Sequence, residues 1–190
     1  RFLTGCFLTG RFFNWYMIAT PKRGLNMTDI NDLPILLRRE IEARIVGPLI
    51  EAFSEEFGRE KTIEVASSVI QKLAEESGAD LAERCGGNSF EHLSKGNGQW
   101  SAGGALEREV LEKSDTQYHY NITRCKYAET YKALGLQDMG FILSCGRDGK
   151  MFGGFNPDIK FRRTQTIMEG AEYCDFRLSL DEEDKAAPDE

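Results

Sequence analysis

The chain divides near Leu106 into a half of helical period and a mixed half, and that division limits the folds open to it. Residues 33–57 place Leu36, Leu37, Ile41, Ile45, Leu49, Ile50 and Phe53 close to i, i+4, i+8 spacing, the stripe of an amphipathic helix. Residues 60–77 repeat the pattern through Ile63, Val65, Ala66, Val69, Ile70 and Leu73. Residues 117–124 (QYHYNITR) instead alternate and are rich in aromatic and β-branched side chains, as a half-buried strand requires. Two long helices followed by an antiparallel hairpin, with no regular β-α-β alternation, are the mark of an α+β fold. The expected architecture is N-terminal helices packed on a four-stranded antiparallel sheet with a helical insertion.

Punctuation sets the expected boundaries. Asp32 and Pro34 suit the start of the first helix. Gly47-Pro48 should kink or break it, because proline removes a helical hydrogen bond. Gly58 ends it, and Gly78 ends the second helix, with about one more turn at 80–84. Residues 106–112 and 117–124 form a hairpin around Ser114-Asp115. Residues 126–134 and about 137–144 are helical. The segment CGRDGKMFGGFNPD reads as a Gly-rich turn region. Residues 159–168 and 174–180 supply the remaining two strands.

Charge and length exclude several classes. The chain has 190 residues and a formal net charge of −7, too acidic for a phosphate-backbone binder, so no nucleic-acid partner is expected. No segment approaches the roughly 20 uncharged apolar residues of a membrane span. Five cysteines, at 6, 85, 125, 145 and 174, are odd in number, widely spaced and contain no CxxC. That argues against a secreted disulfide framework and for a cytoplasmic setting. The charge is also unevenly spread. Residues 1–26 carry Arg1, Arg11, Lys22 and Arg23 and no acid, and read as a leader, a remnant or a first element of the fold. Residues 27–180 form one α+β domain. Residues 181–190 (DEEDKAAPDE) read as an acidic disordered tail. A homo-oligomer is compatible with this pattern and not required by it.

Cysteines in the mixed half are the chemical signal. Cys125 follows a strand and opens a helix, where partial positive charge and free N–H groups favour thiolate, and Arg124 and Lys126 flank it. Cys145 and Cys174 fall at other element ends, so the three can converge. The plainer alternative is that each packs as a small buried hydrophobe. Glu129 lies one turn beyond Cys125 and is either a ligand or base, or a surface partner of Lys126 or Lys132. Asp148 sits in a Gly-bounded segment, as a functional or an ordinary turn residue. His119 on the alternating strand reads as structural. Tyr118, Tyr120, Tyr127, Tyr131, Phe152 and Phe155 either line a pocket or fill the core.

Several motifs occur in order: Cys125-x-Tyr127-Ala128-Glu129, Cys145-x-x-Asp148, Gly154-Phe155-Asn156-Pro157, Arg163-Thr164-Gln165-Thr166, Glu169-Gly170 and Cys174-Asp175-Phe176-Arg177. Together they resemble the L-2-amino-thiazoline-4-carboxylic acid hydrolase family. The resemblance is densest over 120–178 and covers about 30–180. It implies a hydrolase that opens a thiazoline ring at its C=N carbon in a small amino-acid-like substrate. A more distant resemblance is to small-molecule-binding domains of the 4-vinyl reductase type, which would make the chain a non-catalytic sensor.

On the first resemblance, Cys125, Glu129 and Asp148 are the catalytic candidates, with a carboxylate as base. Arg163, Arg177 and Asn156 are the substrate-binding candidates, an arginine fork suiting a carboxylate. Cys125, Cys145 and Cys174 are candidate ligands of a divalent metal ion, zinc by ligand type. In the alternative without metal, Cys125 is the direct nucleophile.

Overall fold

The computed structural model describes residues 30–180, and the expectations for the leader (1–26) and the acidic tail (181–190) fall outside them. Helix α1 (Ile35–Phe57) and helix α2 (Arg59–Cys85) are joined through the single residue Gly58, whose φ of 87° is open to glycine. Short helices α3 (Phe90–Gly96) and α4 (Gly98–Ser101) lead to a hairpin of β1 (Leu106–Lys113) and β2 (Gln117–Cys125). Then follow α5 (Lys126–Ala133), α6 (Gln137–Leu143), α7 (Asp148–Phe155), β3 (Lys160–Arg162) and β4 (Cys174–Ser179). The sheet is antiparallel in the order β1-β2-β4-β3. The α+β architecture expected from that division of the chain is the one observed. Among the described residues no helix is long and apolar enough to cross a membrane.

Alternation on β2 and β4 decides which sheet face receives the helices. Tyr118, Tyr120, Ile122, Cys174, Phe176 and Leu178 are buried together with Ala74 and Leu81 of α2 and with Met151, Phe152 and Phe155 of α7. Tyr120 stacks on its cross-strand partner Phe176, ring centroids 4.9 Å apart. A second cluster joins Ile35, Ala43 and Ile50 of α1, Ile70 of α2, Tyr127 and Tyr131 of α5 and Met139 and Leu143 of α6. Helix α2 contributes to both clusters and so ties the helical half to the sheet.

Three expected breaks do not occur. Helix α1 runs through Gly47-Pro48. Gly47 is buried there, and a Cβ would lie 2.8 Å from Leu136 Cδ1, so close packing outweighs the one lost hydrogen bond. Helix α2 runs through Gly78 because the backbone of α7 lies against it: a Cβ at 78 would be 2.0 Å from the Met151 carbonyl oxygen. The supposed turn region is mostly helix α7. Its buried Met151, Phe152 and Phe155 keep helical spacing, and Gly154 fits under the Glu75 carbonyl, 2.0 Å from where a Cβ would stand. In each place a glycine that reads as a terminator is a site of close approach.

The third strand is also shorter than 159–168. Pairing with β4 stops at Arg162. Beyond it Asp175 accepts from the backbone N–H groups of Thr164 and Gln165, both at 2.9 Å, in place of ladder partners.

Candidate functional site

Cys125 ends β2 and caps α5, its sulfur accepting from Ala128 N at 3.5 Å. Cys174 opens β4 opposite Ile122, at the same end of the sheet, and its sulfur accepts from Ile167 N at 3.2 Å. Cys145 opens the 3-10 turn Cys145–Arg147, and Asp148 is the first residue of α7. Arg163, its side chain 7% exposed, reaches this junction from beyond β3 and pairs closely with Asp148. Its second nitrogen donates to the Cys145 carbonyl at 3.1 Å. The guanidinium also lies 5.2–5.7 Å from the ring centroids of Phe141, Phe161 and Phe176. Cys125 feels the charge of Cys174 and Asp148, and Cys145 and Cys174 feel that of both Asp148 and Arg163. The structure therefore brings five of the expected residues to one buried junction.

Electrostatics there differ from the sequence expectation. Burial pushes the Cys125 thiol up to about 11, and the N–H groups at the start of α5 offset only part of that. The flanking cations do not help, because both are engaged elsewhere. Arg124 binds Glu129 at 2.9 Å and Glu107 at 3.4 Å, and Lys126 donates to the Gly103 carbonyl at 3.0 Å. Burial, and then the Asp148 charge, push the Cys145 thiol up further, and burial raises Cys174 as well. The resting state of the cluster holds neutral thiols beside one ion pair. Burial also raises the Asp148 carboxyl, against the pull of Arg163. Burial alone would lower Arg163, but Asp148 and Cys145 hold it above the usual value.

Three expected residues lie elsewhere. Glu129 is exposed and paired with Arg124. Arg177 alternates to the sheet face opposite Cys174 and Phe176, where it donates to the Tyr120 carbonyl at 3.1 Å and to Asn121 Oδ1 at 3.0 Å. Asn156 is buried in a turn, donating to the Asn88 carbonyl at 3.1 Å and accepting from Asp158 N at 2.9 Å. The six aromatics singled out from the sequence are all buried, so they fill the two cores.

The donor set was tested against a metal ion. Among the described residues no three His, Cys, Asp or Glu side chains group closely enough to hold one. The residues present do not fit zinc.

The ordered motifs between Arg163 and Arg177 form a brace for this junction. Thr166 Oγ1 accepts from Glu169 N at 3.1 Å and donates to the Glu169 carboxylate at 2.7 Å. That reciprocal cap holds the short turn 167–169, whose first N–H meets Cys174. Sequence reasoning missed a second polar group: Arg39, Glu42 and Arg147, with Tyr131 beside them. No local signal in the sequence marks it, because Arg39 and Glu42 sit among the ordinary charged positions of an amphipathic helix.

Comparison with known proteins followed from this geometry. Residues 38–178 match the family model described as L-2-amino-thiazoline-4-carboxylic acid hydrolase. Comparison with curated proteins gives no match. Among solved structures, the phenol-responsive sensory domain of the transcription activator PoxR, with phenol, is similar at a TM-score of 0.50. The two are 14% identical, and the match covers 76% of this chain and 75% of that one. At that identity the likeness is one of fold.

Proposed function

The chain belongs to the L-2-amino-thiazoline-4-carboxylic acid hydrolase family, and from that membership we propose that it hydrolyses a ring C–N bond in a small cyclic amidine bearing a carboxylate, of the 2-amino-thiazoline-4-carboxylate type. The observation that carries the reading is the buried Asp148–Arg163 pair, with Cys125, Cys145 and Cys174 within reach of its charges. A substrate carboxylate is the natural competitor of Asp148 for the Arg163 fork. Its arrival frees Asp148 to act as base. Water then adds to the amidine carbon, and its proton passes to Asp148. The C=N π pair moves to the ring nitrogen, which takes that first proton from the carboxyl; on collapse the hydroxyl proton passes through Asp148 to the same nitrogen, and the ring C–N bond breaks with its electron pair leaving on the amine. The carbon keeps its bond to sulfur and becomes a carbamoyl carbonyl. A carboxyl raised by burial suits both halves of that exchange.

Incubation with L-2-amino-thiazoline-4-carboxylate, followed by mass spectrometry, should show a product heavier by one water. Asp148→Asn should abolish it while circular dichroism stays native. Full turnover by Asp148→Asn would sink the proposal. The second reading, a non-catalytic small-molecule-binding domain, draws on the neutral thiols and on the fold likeness to a sensory domain solved with phenol. Saturable binding of intact substrate, with no water-added product, would favour it.

A further inference from the structure

Helices α1 and α2 form an antiparallel pair with a groove of about 750 Å³ between them, within the size range of small-molecule sites. Its walls are almost wholly apolar, among them Val46, Phe53, Val65 and Val69. Much of that surface stays open to solvent: Leu49 is 47%, Phe53 50% and Val65 52% exposed. A contiguous apolar surface of this kind marks an interaction site. The groove runs from Glu42 and Arg147 to Phe57 and Lys61, about 22 Å at the rise of an α-helix.

The two ends differ in charge. Lys61 is already paired with Glu64 at 2.8 Å on the exposed surface. At the other end two guanidiniums share one carboxylate. Arg39 holds Glu42 at 2.5 Å, while Arg147 reaches it only at 3.4 Å, and the two arginine side chains are 16% and 13% exposed. Asp148, the next acid, belongs to Arg163. Beside them Tyr131 is 1% exposed, and its hydroxyl has no hydrogen-bond partner among the described residues. It lies behind the groove wall and does not line it. A buried excess of positive charge at the groove's end calls for an anion, and the apolar walls call for a hydrocarbon.

We propose that the α1–α2 groove binds a single-chain amphiphile with an anionic head, of the fatty-acid carboxylate class, its head on Arg147 and its chain along the groove. A second copy of the chain is the weaker occupant, because a helix laid across the groove would bury the Arg147 end without supplying an anion. The proposal stands apart from any turnover at the thiol cluster.

Calorimetric titration of the full chain near neutral pH tests it, with decanoate, 1-decanol and decylammonium kept below their micelle thresholds. Decanoate should saturate and bind about tenfold tighter than decanol, the scale of one charge-assisted contact. Decylammonium should be weakest. Arg147→Gln should bring decanoate down to the level of decanol without changing decanol, and Val65→Asp should weaken both. The comparison of the three ligands on the unaltered chain needs no variant to fold. Equal affinity for decanoate and decanol overturns the proposal. So does the absence of saturable binding, including the case in which sedimentation shows the groove occupied by a second copy.

Discussion

Gly78 provides a test in which two physical effects predict opposite signs. It lies in the interior of α2, where replacing glycine by alanine normally stabilises a helix by about 1 kcal/mol. Here the added Cβ would stand 2.0 Å from the Met151 carbonyl oxygen and 2.7 Å from Phe155 N, against an ordinary contact of 3.4–4 Å. Both atoms are backbone, so no side chain can swing away. Helix α7 would have to retreat by more than an ångström, loosening Phe152 and Phe155 in the core. Overpacking of that kind costs about 1–3 kcal/mol, with rigid neighbours at the upper end. The net expectation for Gly78→Ala is a loss of about 2 kcal/mol, or roughly 4–8 °C in melting temperature for a chain of this size. Gly153→Ala is the internal control. It lies in α7 with nothing within 4 Å of its Cβ position, and should be neutral or stabilising by up to about 1 kcal/mol. Urea denaturation of both variants and the parent chain measures the pair. If Gly78→Ala is as stabilising as Gly153→Ala, α7 does not press on α2, and the placement of Asp148 at its first residue loses its support.

Other expectations concern the buried junction and its brace. Arg163→Met strands the Asp148 charge and should destabilise by about 3–5 kcal/mol in urea melts. Adding Asp148→Asn to it should restore part of that loss, and a double variant no more stable than the single would contradict the pairing. With its thiol pushed up to about 11, Cys125 should react with iodoacetamide at neutral pH far more slowly than a free thiol and accelerate well above pH 9; peptide mapping that finds rapid neutral labelling of Cys125 would refute this. Burial alone would raise the Asp175 carboxyl, but hydrogen bonds from Thr164 and Gln165 outweigh it and hold it low. Its contribution is therefore complete above the ordinary carboxylate value, about pH 4, and is lost as pH falls through the depressed folded value. Asp175→Asn should reduce stability at neutral pH and flatten the acid limb of the stability profile; an unchanged limb would show that the brace does not depend on that charge.

Periodicity and turn residues determined the two long helices, the hairpin and the α+β class, but not helix α7, because apolar spacing is a local property that glycines obscured there. The ordered motifs around Cys125, Asp148, Arg163 and Cys174 likewise marked the residues that meet at the junction. What they do there was not legible. Cys125 sits where a helix N-terminus should favour thiolate, yet burial outweighs that field, and burial is a property of everything packed around it. Glu129 and Arg177 belong to the same motifs as the cluster residues, but one points to Arg124 and the other to the far face of the sheet. Gly47, Gly78 and Gly154 read as breaks and are contact points, since a missing Cβ looks the same in a turn and beneath a neighbouring backbone. The charge imbalance at Arg39 and Arg147 arises only when α1 meets the turn before α7, about a hundred residues away in sequence. Local pattern determined most of the elements that form. The protonation states, the faces and the unpaired charge depend on dielectric and on long-range contacts, which only the tertiary structure decides.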